Sequence, residues 1–362
     1  MNYLFLSTIV IIISFFYECV RNVQNAKRGV KILLIFSLCA SLCLFAGLRT
    51  QYNDTLSYIN EFSSTPNSIS KVISGEFKIS NVYLFKFFTY FIYHYVSTNP
   101  NVFLFLASAV FVVPSVMLIA RYSKNFMFSM LLFVFGGGYL FSLAGLKQAM
   151  ATGIVLMGLP ALLDKKYFKY YFFCFLAVGF HAYSFLFFIL PILGTEVFNK
   201  RTVVFCLGLI LVGIGLSYFS NVISAIVEFL GKEIDEKVLV SGSVNILRTV
   251  VFSVPLILTL LGRKKVNQSC SESEKFLIKL SVFSSIFMIL ATFGNPVLFG
   301  RIPYYFTIGS VISVPMLIKK VFRGKEATII SFVASICYVA FGCYSLYVAG
   351  GFRSDIFGLL WF

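Results

Sequence analysis

The stretch Val102-Phe-Leu-Phe-Leu-Ala-Ser-Ala-Val-Phe-Val-Val-Pro-Ser-Val-Met-Leu-Ile-Ala120, closed by Arg121, decides the fold class. It carries no charge from end to end. Wound as a helix at about 1.5 Å per residue it is about 28 Å long, close to the roughly 30 Å hydrocarbon core of a bilayer. Similar runs occupy residues 2–20, 30–48, 126–143, 148–163, 168–180, 182–196, 202–219, 245–262, 276–293, 302–318 and 326–348. The chain of 362 residues is 59% hydrophobic and only 12% charged. This pattern predicts a single all-α, polytopic membrane domain with about twelve transmembrane helices. It excludes a soluble enzyme, a secreted disulfide scaffold and a disordered chain. The first run lacks a basic leader and a small-residue cleavage site, and is read as a retained span.

Two segments need a decision. Lys166 to Lys200 is about 51 Å as one helix, too long for a single upright crossing, and is split into two short spans at His181. Residues 81–96 are aromatic but short and contain Lys86 and His94, so they are read as a re-entrant or interfacial helix within an outer loop, 49–101. A second outer loop covers 220–244 and holds Glu233, Asp235 and Glu236, which are read as solvated charges. With those choices, 20 basic and 6 acidic residues fall on one side of the membrane, a balance of +14, and that side is assigned to the cytoplasm. The formal charge of +16 is thereby read as a topology signal, with no nucleic-acid partner. Seven of the eight cysteines lie in or beside apolar runs and no C-x-x-C occurs, so neither disulfides nor a zinc site is expected. Gly136-Gly137-Gly138 inside a span is read as a close-packing or kink device.

Once the sides are fixed, Arg49, Asp54, Lys147, Gln148, His181, Arg248 and Arg301 all fall near the outer ends of spans, where they can line one outward-facing cavity. Each has a plain structural reading: an interfacial anchor for Arg49, Lys147 and Arg301, an ion pair for Arg248, a hydrogen-bonded turn for His181. The functional reading is an anion site, since arginine forks suit phosphate and Lys147 stands at a helix N-terminus. His181 is suited to take a proton from a sugar hydroxyl, with Asp54 as the alternative base or the group orienting it. Tyr58, Tyr304 and Tyr305 are candidates to stack on sugar rings. No carboxylate pair with metal spacing accompanies the cations, which favours charge stabilisation by the protein over a metal or other cofactor.

Four motifs together resemble the EpsG-like branch of Wzy-type polysaccharide polymerases. They are Gly47-Leu-Arg49 with Asp54 and Tyr58, Gly145-Leu-Lys147-Gln148-Ala149-Met150-Ala151, Leu162-Leu-Asp-Lys-Lys-Tyr-Phe168 leading to Gly179-Phe-His181-Ala-Tyr-Ser184 and Pro191, and Arg301-Ile-Pro-Tyr-Tyr-Phe306. The family pairs Arg with Gln where this chain has Lys147-Gln148, so a point charge replaces a fork there. The resemblance implies a GT-C-like architecture in a bacterial inner membrane, with the active site facing the periplasm or outer surface. It also implies transfer of a growing glycan from polyprenyl diphosphate to the non-reducing-end hydroxyl of another polyprenyl-diphosphate-linked repeat unit, with a separate chain-length regulator as partner. Competing readings are an O-antigen ligase or other membrane glycan transferase, and a polysaccharide flippase or exporter.

Overall fold

The computed structural model describes residues 2–23, 27–74, 82–218, 244–293, 299–351 and 353–354. The acidic cluster at 233–236, most of the outer loop 220–244, and Asn295 lie outside them. Contacts divide the chain into two compact units, Met1–Phe187 with Ser335–Phe362, and Phe188–Ala334.

The first unit opens with α1 (Asn2–Arg21) and α2 (Arg28–Gly47), followed by a three-residue strand β1 (Arg49–Gln51) and the short helices α3 (Thr55–Ser63), α4 (Ile69–Ile73) and α5 (Tyr83–Phe91). Next come α6 (Pro100–Tyr122), α7 (Phe126–Phe135), α8 (Gly138–Ala144), α9 (Leu146–Leu163) and α10 (Tyr167–Val178). The helix starts are legible in local chemistry. Asn99 accepts from the Asn101 N–H at 2.9 Å just ahead of Pro100, and Asn125 accepts from the Phe128 N–H at 3.0 Å; each side chain satisfies an N–H that the helix itself leaves unpaired. In an apolar solvent helices gain little from burying apolar area, so close backbone approach matters more. A Cβ at Gly153 of α9 would collide with the Val110 carbonyl of α6, and one at Gly47 of α2 would stand 2.8 Å from Phe105 Cβ. Helix α6 therefore has α2 and α9 as close neighbours, while α10 packs on α9 and α1 on α2 and α7.

The glycine triplet interrupts the helix of its span. Gly137 adopts φ +95°, a left-handed conformation that costs other L-residues about 1–2 kcal/mol, and it separates α7 from α8 within one apolar stretch. The segment around Lys86 and His94 forms α5 and a π turn, Ile92–Val96, too short together to cross a bilayer. Beyond helices, β1 pairs antiparallel with β2 (Arg353–Ser354), which takes up backbone groups of the chain leaving α2.

In the second unit the elements are α11 (Leu190–Leu193), α12 (Lys200–Tyr218), α13 (Ile246–Leu261), α14 (Arg263–Ser269), α15 (Glu272–Phe293) and α16 (Thr307–Val321); the last helix, α17 (Gly324–Val348), is shared between the units. Gly309 lets α16 close on α15, where a Cβ would lie 2.6 Å from the Ser281 nitrogen. Lys279, one of the 20 basic residues assigned to the cytoplasmic side, is buried, and its ammonium donates to the Leu193 and Gly194 carbonyls at 2.9 and 2.7 Å. It satisfies the end of α11, where Gly194 turns at φ +66°.

Each of the twelve expected stretches is helical over most of its described length. By length and composition, however, eight helices among the described residues can cross a membrane, or nine if α13 and α14, bent by 70°, form one span. Two of the stretches that fall short flank His181, where the apolar helices Tyr167–Val178 and Ala182–Leu193 are each too short for a full crossing.

Candidate active site

Arg49, Asp54, Tyr58, Lys147, Gln148 and His181 belong to the first unit; Arg248, Arg301, Tyr304 and Tyr305 belong to the second. Within the first unit, several of these meet where α8 hands over to α9. Helix α8 ends at Ala144, and its last carbonyls have no partner inside their own helix. Arg49 Nη2 donates to the Leu143 carbonyl at 3.3 Å, and the Tyr58 hydroxyl donates to the Ala144 carbonyl at 3.4 Å. Arg49 Nη1 also donates to the Ala46 carbonyl at the end of α2, and its Nε donates to Thr55 Oγ1 at 3.1 Å. Thr55 in turn donates to the Tyr52 carbonyl at 2.6 Å.

Arg49 is thus a clamp on two helix C-termini, where the backbone dipoles favour a cation. Its side chain is fully buried, at 0% exposure, and among the described residues it has no carboxylate partner. Burial pulls its guanidinium down to about 10, which leaves it charged at neutral pH. The interfacial anchor weighed from sequence is not what forms, because nothing of Arg49 reaches solvent in this conformation.

Lys147 and Gln148 follow directly in the first turn of α9. The Lys147 ammonium, half-buried, lies 5.5 Å from the centroid of the Phe85 ring on α5, a cation–π distance. Gln148 is buried. The neighbouring residue Leu84 donates its backbone N–H to the Gly179 carbonyl at 3.1 Å, and a Cβ at Gly179 would strike its side chain. Helix α5 therefore fixes both the Lys147 side chain and the turn that carries His181. That turn is short because the His181 N–H bonds back to the Ala177 carbonyl at 3.0 Å, while Ser184 bonds to the His181 carbonyl. The imidazole stands edge-on to Tyr183 at 5.3 Å and is partly exposed. The His94 ring packs tilted against Tyr90, centroids 4.3 Å apart, and contacts the Pro66 carbonyl.

Asp54 begins α3 and is exposed, after Asn53 turns the chain at φ +41°. A different carboxylate was missed from sequence. Glu61, two turns further along α3, is half-buried; its Oε1 accepts from Ser57 at 3.2 Å, and its Oε2 is buried with no hydrogen-bond donor. Burial pushes its carboxyl above the ordinary value, Lys147 and Ser57 pull it back, and Asp54 pushes it further. The signal was faint. Thr55, Tyr58 and Phe62 make the buried stripe of α3, and Glu61 sits at its edge in a loop that sequence alone leaves without helix boundaries.

In the second unit, Arg248 is partly buried in the first turn of α13 and Arg301 is exposed. Tyr304 and Tyr305 are buried in the 3-10 turn Ile302–Phe306, Tyr304 edge-on to Phe252 at 5.4 Å, so neither ring is presented for stacking in this conformation. Tyr58 is likewise buried. Among the described residues no three His, Cys, Asp or Glu side chains gather closely enough to hold a metal ion.

No curated protein and no solved structure matches the chain. The sequence model of the EpsG family matches residues 32–357, and that range contains every residue of the constellation around Lys147. The chain belongs to the EpsG family, a family of Wzy-like polysaccharide polymerases.

Proposed function

We propose that this membrane protein polymerises a polysaccharide at the outer face of a bacterial inner membrane. It transfers a growing glycan from its polyprenyl diphosphate to the non-reducing-end hydroxyl of the next polyprenyl-diphosphate-linked repeat unit and releases polyprenyl diphosphate. Family membership supports a polymerase in general, and one observation favours this chemistry: a half-buried lysine in the first turn of α9, held over the Phe85 ring, within electrostatic reach of the half-buried carboxylate of Glu61.

The departing diphosphate develops negative charge, and Lys147, half-buried in the first turn of α9 where the helix dipole also favours an anion, is the cation of the first unit assigned to it. Arg49 acts through this group as a positioning residue, holding the α8–α9 junction from which Lys147 projects. His181 accepts the proton of the attacking hydroxyl. Glu61 replaces Asp54 as the carboxylate that orients the acceptor, because it is partly desolvated and retains an oxygen with no donor, whereas Asp54 is exposed.

The test is purified protein in liposomes with a polyprenyl-diphosphate oligosaccharide from its host, the glycans being resolved on a gel. A ladder spaced by one repeat unit supports the proposal. Glycan that crosses the bilayer unextended, or moves to a different lipid acceptor, overturns it in favour of an exporter or a ligase.

A further inference from the structure

An open groove of about 740 Å³ runs along the outside of α2 and α6 in the first unit. Its walls are apolar: Ile32, Phe36 and Cys43 from one face of α2, and Phe105, Val113 and Met117 from the facing side of α6. Phe36 and Met117 are 67% and 59% exposed, so nothing of the chain's described part covers them. The two helices run antiparallel, which brings the start of α2 and the end of α6 to the same end of the groove. That end is basic, lined by Arg28, Lys31 and Arg121.

These cations are short of protein anions. Lys31 donates to the Arg21 carbonyl at 3.2 Å, and Arg121 lies over the Tyr122 ring at 5.2 Å. Among the described residues neither Arg28 nor Arg121 has a carboxylate within ion-pair distance. The nearby Glu18 is engaged by Arg21 at 3.7 Å and by the Phe126 N–H. From Arg28 to Cys43 the groove is about 22 Å long at 1.5 Å per residue. That matches one leaflet, about half of a bilayer 40–45 Å thick with its headgroups.

From this juxtaposition of an apolar slot one leaflet deep with a rim of unmatched cations, we propose that the α2–α6 groove is a binding site for an anionic membrane phospholipid. An acyl chain lies between Phe36 and Val113, and the phosphate sits among Arg28, Lys31 and Arg121. Arginine forks suit phosphate oxygens, and the start of α2 adds free N–H groups at the same rim. The site stands apart from Lys147 and His181 and rests on no reading of the reaction.

Native mass spectrometry of the full chain, released from detergent with phosphatidylglycerol or phosphatidylcholine, tests it. The protein is expected to retain phosphatidylglycerol in preference, and Arg28→Gln/Arg121→Gln to lose about 30-fold in that affinity, near 2 kcal/mol for two interfacial cations. Lys166→Gln/Lys169→Gln, which removes the same charge elsewhere on this unit, is expected to change nothing. Equal retention of the two lipids, an equal loss in the control pair, or displacement of phosphatidylglycerol by an equimolar polyprenyl phosphate would each overturn the proposal. Should the arginine double variant not purify as one species, quenching of Met117→Trp fluorescence by brominated phosphatidylglycerol against brominated phosphatidylcholine reads the same preference; equal quenching contradicts it.

Discussion

Arg49→Met separates a clamp from a ligand. Methionine keeps much of the apolar stem but removes every donor, so the Ala46 and Leu143 carbonyls lose the N–H groups that satisfy them. Thr55 keeps its bond to the Tyr52 carbonyl and loses only an incoming donor. Two buried acceptors orphaned at about 1–3 kcal/mol each give a destabilisation of about 2–6 kcal/mol. Arg49→Lys should recover part of this, since an ammonium can serve one carbonyl but not span both helix ends. The assay is thermal denaturation of the purified protein in detergent, paired with polymer formation in liposomes. The expected order of melting is wild type, then Lys, then Met, with activity falling alongside. A Met variant that melts with the wild type would refute the clamp, and if it were also inactive it would return Arg49 to direct contact with substrate.

Other expectations follow from the same geometry. Because burial raises the Glu61 carboxyl above its ordinary value, its stabilising contribution is full below that ordinary value and is lost as pH rises through the folded one. Glu61→Gln should therefore melt higher than wild type at pH 7, converge with it in acid, and yet polymerise poorly; a variant that is destabilised at pH 7 removes the argument. Lys147→Ala should lose about 100- to 1,000-fold in turnover with little change in melting, while Lys147→Arg retains activity; equal activity in Ala and wild type would exclude it from the diphosphate site. Gly137→Ala, forced to φ +95°, should cost about 1–2 kcal/mol and reduce activity by misplacing the α8 carbonyls; unchanged melting would contradict this. Gly153→Val should cost about 1–3 kcal/mol or prevent accumulation, because the α6 backbone occupies the space its side chain needs.

Helices were legible because apolar run length is a direct consequence of bilayer thickness; the caps at Asn99 and Asn125 came only from the structure. The break at Gly136-Gly137 and the turn at His181 were legible for a related reason: a glycine cluster and an over-long apolar segment each demand a bend. What sequence could not show was which side chains become buried. Arg49 looked like an interfacial anchor because its neighbours in sequence are those of a helix end, whereas its environment is set by α8, nearly a hundred residues away. Tyr304 and Tyr305 looked available for stacking for the same reason. Glu61 was passed over since a lone acid in a polar loop is usually solvated, and only the fold half-buries it within electrostatic reach of Lys147. The β1–β2 ribbon rests on pairing between chain segments some three hundred residues apart, which no local pattern announces.

The central claim is tested most directly by reconstituting wild type, Lys147→Ala and His181→Ala at matched protein levels in liposomes with lipid-diphosphate oligosaccharide and resolving the product by repeat number. The account predicts a ladder from wild type and none from either variant, with all three proteins melting alike. An undiminished ladder from Lys147→Ala and His181→Ala would contradict it.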